Sequence, residues 1–550
     1  MKTGVILGAA AVLTVLATMS GPKAVKQDLF SDQGELFFPQ FTDSTAAVEL
    51  EVTEFSEERA TARKFAVRRD KDGRWTIPSH GGYPADAKDR MGKAAAMLIG
   101  LTKARSVSDR VEDQVDFGVV DPLDESADTV GRGTRITMRD SAGNDLADLI
   151  LGKEVDGKLD IRYVRQPGKR RTYSTKIDGE LSTKFADWIE TDLLKATSYD
   201  LQKVIFDNYS VDEVRRAIVP GDKFDIAKDK DGKWTIAGLD VAKEEPNTEK
   251  MTEIQTALTG IKIVGVRTKP DGLTARLEQA TGFDRMLLSQ SLADKGYFLG
   301  QGGKLFSNEG DLLFETKKGV RYTLRFGELV PGSADEVSSG DAAPATPQAG
   351  ENGPQPVAAD NRYLMVTAEF DEALLSRPQS SRLPKEHMEK RRQARQQIEK
   401  ITAAIDGWRT AHDNALPESL IKLTEKPESG EAPLAELPKD PWDNDYQLQV
   451  NGESFAVISQ GEDKAPGGDG AAADIDSSAL QHEDDLRRQD DEWTAFDKKV
   501  EDGRAEADKL TRRFGPWYYV IDKALFDKLK PKRADLIKAK AAEPADDGGK

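Results

Sequence analysis

The 550-residue chain contains no cysteine. Disulfides, thiol nucleophiles, cysteine-ligated zinc and iron–sulfur clusters are excluded together. An extracytoplasmic protein built this way needs domains large enough to fold without covalent staples. Histidine is scarce: His80, His387, His412 and His482 are all there is. Basic charge is also in deficit, with 79 Lys and Arg against 97 Asp and Glu, a net charge of −18. Phosphate contacts need a basic face, so no nucleic-acid partner is expected. Long apolar runs are missing but for one, Val5 to Met19, flanked by Lys2 and by Pro22, Lys23 and Lys26. Its length falls short of the ~20 residues of a full span and is close to that of a signal-peptide core. Ala17-Thr18-Met19 makes a poor cleavage site. Residues 1–25 therefore read as an uncleaved N-terminal anchor in the cytoplasmic membrane, with a cleaved signal as the alternative. The bulk of the chain is expected outside the cytoplasm, in the periplasm.

What is present begins with an internal repeat. Phe65 to Ile77 (FAVRRDKDGRWTI) aligns with Phe224 to Ile236 (FDIAKDKDGKWTI), 159 positions apart at Trp75 and Trp234. Each reads as a strand, an Asp-Gly turn and a second strand. A helical pattern follows in both, Met91, Ala95, Leu98 and Leu101 in the first copy and Met251, Ile254, Leu258 and Ile261 in the second, now 160 apart. Further strands are predicted at 135–138, 146–151, 161–164 and 172–173, and again at 312–315, 322–326 and 363–370. The fold class predicted is α+β: two duplicated antiparallel-sheet-plus-helix units, at 30–200 and 201–385. Residues 331–360 are rich in Pro, Gly, Ala and Ser, which predicts a disordered loop inside the second unit.

Asp70 to Ile77, Tyr83-Pro84-Ala85-Asp86, Leu149 to Lys153, Tyr163-Val164-Arg165, Arg321 to Gly327 and Trp517 to Val520 carry a resemblance. Over roughly 30–385 and 495–535 the chain resembles the bacterial domain-of-unknown-function family 4340. The resemblance implies a single-anchor extracytoplasmic protein that partners an ABC-type transporter related to gliding-motility export. The family has no established catalytic residues to carry over.

Residues 396–476 differ in character. A helix from Ile398 to Ala411 precedes Leu437-Pro438-Lys439-Asp440-Pro441-Trp442-Asp443-Asn444-Asp445-Tyr446, two strands at 447–450 and 455–459, and the glycine-rich Ser459 to Ile475. This stretch resembles the C-terminal globular part of the major pseudopilin of type II secretion. Asp463, Asp469, Asp474 and Asp476 crowd a loop able to fold back on itself, and calcium takes six to eight carboxylate and carbonyl oxygens in flexible geometry. The pseudopilin resemblance implies calcium held by Asp463 and Asp474, by the carbonyls of Gln460 and Ala472, and by Asp469 in place of a family aspartate that is Gly470 here. The alternative is an acidic loop with no ion. Where a pseudopilin has a long apolar helix, this chain has Lys390 to Gln397 (KRRQARQQ), read as a solvated charged helix. The module is therefore expected as an insertion, carried on a helical stalk of 386–395 and 482–514. The chain then returns to its host fold at 515–538 and ends in a disordered tail at 539–550.

No catalytic set assembles. The Asp70–Asp72 and Asp229–Asp231 pairs read as turns. Gly300 to Lys304 lacks the spacing of a phosphate loop. Glu386-His387 and His482-Glu483 read as surface, and His80 as a loop residue. The sequence predicts a non-catalytic, membrane-anchored accessory or scaffold protein associated with an ABC-type export system. A component of a type II secretion-like machinery and an enzyme acting on envelope polymers are the alternatives.

Overall fold

A computed structural model describes residues 32–540, apart from 58–59, 180, 191, 216, 271–272, 274–281, 301–303, 331–360, 428–429 and 469–471. The predicted anchor, the loop at 331–360 and most of the predicted tail lie outside the described residues. Among the described residues no helix is long and apolar enough to cross a membrane.

The fold is α+β, with its main sheets antiparallel. The first sheet is built from β1 (Glu49–Ser56), β2 (Thr61–Arg69), β3 (Trp75–Ile77), β4 (Tyr83–Pro84), β5 (Arg105–Ser108), β6 (Thr134–Arg139), β7 (Asp145–Glu154), β8 (Ile161–Arg165) and β9 (Thr172–Lys176). Their spatial order is β4-β3-β2-β1-β6-β7-β8-β9-β5. Alternation explains the strands. In β1, Leu50 and Val52 face the core, while Glu49 and Glu51 turn outward to Arg68, Lys64 and Arg139.

The second sheet is built from β10 (Leu201–Asp207), β11 (Lys223–Lys228), β12 (Trp234–Ile236), β13 (Gly265–Thr268), β14 (Asp311–Thr316), β15 (Val320–Val330), β16 (Asn361–Phe370) and β20 (Trp517–Ile521). Its order is β12-β11-β10-β14-β15-β16-β20-β13. With the two-residue edge strand β4 set aside, both sheets read third, second, first, fifth, sixth, seventh, eighth, fourth in chain order. A helix joins the third strand to the fourth in each. These are α1 (Lys88–Leu98), burying Met91, Ala94, Ala95 and Leu98, and α2 (Thr248–Thr259), burying Met251, Ile254, Ala257 and Leu258.

Trp75 and Trp234 each open a third strand, and each ring lies under a basic side chain of the second strand, Arg69 at 5.7 Å and Lys228 at 5.0 Å. The turns before them are alike. Asp70 accepts from the N–H groups of Asp72 and Arg74, and Asp229 from those of Asp231 and Lys233. Gly73 and Gly232 supply φ of 80° and 78°, a conformation costly for other residues.

One apolar core runs through both units. Tyr83 meets Trp517 edge to face at 5.0 Å, and the Tyr322 hydroxyl donates to the Leu194 carbonyl at 3.0 Å. His80, read as a loop residue, lies in a short 3-10 turn and is buried in this core. Its ring stacks on Phe185 at 4.5 Å, and Ser79 Oγ lies 3.0 Å from its Nδ1.

In the first sheet a short turn joins β8 to β9. In the second, residues 371–516 separate the equivalent neighbours β16 and β20, which still pair in register (Arg362 with Ile521, Tyr363 with Val520, Leu364 with Tyr519). That segment holds α3 (Lys385–Ala411), a three-stranded sheet of β17 (Gln447–Asn451), β18 (Ser454–Ser459) and β19 (Ile475–Asp476), and α4 (Gln481–Phe514). Ile398, Ile401 and Ile405 of α3 pack on Leu420, Leu423, Trp442, Tyr446, Val457 and Ile475 as a separate core.

The stalk is shorter than expected. Helix α4 meets α3 near its start, through Arg391–Glu483 and Arg395–Asp484. Further on it packs on the host. Trp493 and Phe496 cluster with Leu375, while Ala507, Leu510 and Phe514 enter the main core. Beyond its first turns the apolar face of α4 packs on a sheet and not on α3. The return to the host also runs longer than expected: Glu244–Pro246 pairs with Ile537–Ala539, and Lys540 N–H donates to the Lys243 carbonyl.

Candidate functional site

The glycine-rich loop hangs between β18 and β19, and its base is fixed by Asp440. This buried carboxylate accepts from the N–H groups of Trp442 (3.1 Å) and Asn444 (2.8 Å), from the Asn444 amide (3.1 Å) and from the Ser459 hydroxyl (2.6 Å). Asn444 Nδ2 also donates to the Gly461 carbonyl at 2.8 Å. The Asp-Pro-Trp run is thus a turn that grips the first residues of the loop. Tyr446 extends the clamp to α3, donating to Gln397 Oε1 at 2.5 Å, and burial raises its hydroxyl above the usual tyrosine range.

Within the loop, Asp463 Oδ1 accepts from Ala465 N–H at 3.2 Å. Asp474 and Gly467 exchange two bonds, Gly467 N–H to Asp474 Oδ2 at 3.0 Å and Asp474 N–H to the Gly467 carbonyl at 3.1 Å. The loop folds back on itself here because Gly467 and Gly468 hold φ of 97° and 91°. Gly468 has a second constraint. A Cβ on it would lie 2.4 Å from the Ala472 carbonyl oxygen and 3.2 Å from Asp463 Oδ2, so these two oxygens converge over its Cα. Asp474 Oδ1 is buried and, among the described residues, has no hydrogen-bond partner. A buried carboxylate oxygen without a donor is costly.

Of the five residues singled out by sequence, Asp463, Ala472 and Asp474 gather on this glycine pair. Gln460 is half-buried where the loop leaves β18, and Asp469 lies outside the described residues. Asp476 is engaged elsewhere, accepting from the N–H and hydroxyl of Ser478 at 2.7 and 2.8 Å. No group of three or more His, Cys, Asp or Glu side chains capable of holding a metal occurs among the described residues. Any hard cation here would depend on backbone carbonyls as well as carboxylates. Asp463 Oδ2 and the Ala472 carbonyl, converging at Gly468, and the unpartnered Asp474 Oδ1 are oxygens of the kind such an ion takes.

Sequence reasoning missed what anchors the loop from behind. Arg391, read as solvated, is 1% exposed, and Glu483, read as surface, is 7% exposed. Arg391 Nε donates to Glu483 Oε2 at 3.1 Å, Nη2 donates to Oε1, and Nη1 donates to the Ala473 carbonyl at 2.7 Å. The signal was present in the spacing. Arg391, Ala394, Ile398, Ile401 and Ile405 form one continuous stripe of α3, and every member is buried.

The family described as domain of unknown function (DUF4340) matches residues 75–280. The match begins at Trp75, so it crosses from the first sheet unit into the second and is shorter than the resemblance read from the sequence. The family described as type II secretion system (T2SS), protein G, matches residues 383–478, from the start of α3 to just beyond β19. No curated protein matches the chain.

Proposed function

We propose that this chain is a non-catalytic, membrane-anchored extracytoplasmic scaffold, associated with an ABC-type export system and carrying a pseudopilin-like module as an insertion. In this reading two copies of one sheet-plus-helix unit form the host, divided near residue 200, and residues 396–476 form the guest. The observation that carries it is the shared order of eight strands in the two sheets, with the guest placed in the connection between the seventh and eighth strands of the second. An insertion between paired neighbours leaves the host sheet closed, as the β16–β20 register requires. Such an arrangement presents the guest at a fixed place on a folded platform. The similarity to DUF4340 and to protein G of type II secretion supports an accessory role. Purification of the tagged full-length chain from cross-linked membranes tests the proposal. Recovery of transporter membrane subunits is expected. Recovery of the chain in the soluble fraction, without membrane partners, would count against it.

A second reading has the chain acting in a type II secretion-like machinery through the module, with calcium organising the loop. The unpartnered Asp474 Oδ1 favours it. When bound, calcium would supply a fixed positive charge to Asp463 and Asp474. The same cross-linking experiment separates the two readings, since secretion pseudopilins rather than transporter subunits would then be recovered.

A further inference from the structure

Helices α1 and α2 occupy the same place in the two sheet units, yet their outer faces have different fates. On the second unit, a short helix, Lys523–Leu529, follows β20 and packs along α2. Leu525 and Phe526 are partly buried there, Leu529 is fully buried, and Lys528 Nζ lies 3.9 Å from Glu253. On the first unit, among the described residues, the chain leaving β9 forms no helix before Phe185. Both segments are tied down at the far end in the same way: Asp86 N–H donates to the Trp188 carbonyl and Asn247 N–H to the Leu536 carbonyl, each at 2.8 Å.

Between these tie points the first unit has an open cleft of about 980 Å³, lined by Lys93, Ala96, Met97, Thr175, Leu181 and Trp188 among others. The 160-residue offset equates Lys93 with Glu253 and Met97 with Ala257. Lys93 is exposed and Met97 half-buried, while Glu253 is half-buried and Ala257 buried, the difference made by the covering segment. The cleft therefore stands where the second unit carries its own helix.

We propose that this cleft is a docking groove for a short amphipathic helix of a partner protein. The Lys523–Leu529 helix supplies the pattern: apolar residues at i, i+1 and i+4 (Leu525, Phe526, Leu529) and a charged residue at i+3 (Lys528). The facing charge is reversed, Lys93 where the second unit has Glu253, so the partner helix carries Asp or Glu at i+3. This inference stands apart from the pseudopilin-like module and from calcium.

A fluorescent peptide of residues 522–531 with Lys528→Glu, titrated against the solubilised full-length chain, provides the test. Anisotropy should rise saturably. Ala96→Trp, which fills the cleft from an exposed position, should weaken binding at least about tenfold. Lys93→Glu should weaken it about threefold, the scale of one exposed ion pair. Melting curves of both variants should match the parent. No saturable binding up to millimolar peptide, or binding unmoved by Ala96→Trp, would overturn the groove. Indifference to Lys93→Glu would overturn the acidic requirement. Tighter binding of the unmodified Lys528 peptide would overturn the partner in favour of a second copy of this chain.

Discussion

Arg391 and Glu483, 92 residues apart, form a two-pronged buried ion pair that joins the helix leading into the pseudopilin-like module to the helix leading out. The third arm of the guanidinium reaches the Ala473 carbonyl, within the glycine-rich loop. One side chain therefore couples the closure of the module to the shape of its candidate ion site. Removing one partner of such a pair strands the other without compensation, typically at about 3–5 kcal/mol. Glu483→Ala and Arg391→Ala should each lower module stability on that scale in urea unfolding. The Arg391→Met, Glu483→Leu double variant should recover much of the loss. A double variant as damaged as the singles would show that shape, not charge compensation, sets the cost.

Calcium binding should depend on the same loop. Calorimetry on the intact protein is expected to show heat on calcium addition that Asp463→Ala or Asp474→Ala removes, whereas Asp72→Ala in the distant turn leaves it unchanged. A ligand at a hundredfold excess over its Kd stabilises the state it binds by about 2.7 kcal/mol. Magnesium should substitute poorly, because it demands tight octahedral geometry. A silent calorimeter with the unaltered protein would leave the loop as a hydrogen-bonded turn and nothing more.

Glycines in the two long helices should respond in opposite ways to alanine. A Cβ at Gly503 would lie 2.4 Å from the Lys318 carbonyl oxygen and 2.6 Å from Phe370 Cε2, whereas at Gly407 nothing lies within 4 Å. Alanine is favoured over glycine inside a helix by up to ~1 kcal/mol. Gly407→Ala should gain part of that. Gly503→Ala should lose about 1–3 kcal/mol, the usual cost of overpacking, because the Lys318 carbonyl belongs to the tight turn that joins the paired strands β14 and β15 and has little room to retreat. Equal denaturation midpoints for the two variants would refute the close approach of α4 to the sheet.

Lys269 gives a pH signature. Its side chain is half-buried and its Nζ lies 5.3 Å from the centre of the Tyr518 ring and 3.4 Å from the Phe514 carbonyl. Burial, helped by repulsion from Arg325, pushes its pKa from 10.5 down to about 7. Lys295 Nζ, 5.5 Å from the same ring, adds no negative charge. Between pH 7 and 10.5 the unfolded chain holds a proton that the folded one has released, so this residue makes stability rise with pH. Below pH 7 its full penalty remains. Lys269→Met should therefore stabilise the protein at pH 6, each unit of displacement being worth about 1.4 kcal/mol, and the gain should fade by pH 10.5. A gain that does not vary with pH would point to packing alone.

Two deletions should separate guest from host. Replacing 396–480 with a short Gly-Ser bridge retains the Arg391–Glu483 pair and all of α4 that touches the sheet, so the host should still unfold cooperatively. Removing 386–514 also strips Ala507, Leu510 and Phe514 from the main core. That loss should collapse host stability. Circular dichroism melts of the two variants provide the comparison. Failure of the smaller deletion to fold would show the cores to be interdependent.

Much of this protein was legible in the sequence because the signals are local. Strand alternation around Leu312 and Phe314, the Asp70 and Asp229 turns and the helical stripes of α1 and α2 depend on neighbours a few residues away. So does the stripe of α3, once Arg391 is read by its spacing instead of its charge. Asp463 and Asp474 were also within reach, since a glycine-rich loop folding back brings near residues together, whereas Ala472 came only from the pseudopilin resemblance. Tertiary structure decided what local pattern cannot encode. It placed the fourth strand of each unit beside the eighth and turned the apolar face of α4 toward a sheet. It buried His80 against Phe185, and it left one helix face open at Lys93 while covering its counterpart at Glu253. Each of these outcomes turns on which distant surface completes a half-buried element. An apolar stripe shows that a residue must be covered, but the segment that covers it is chosen by the packing of the whole chain.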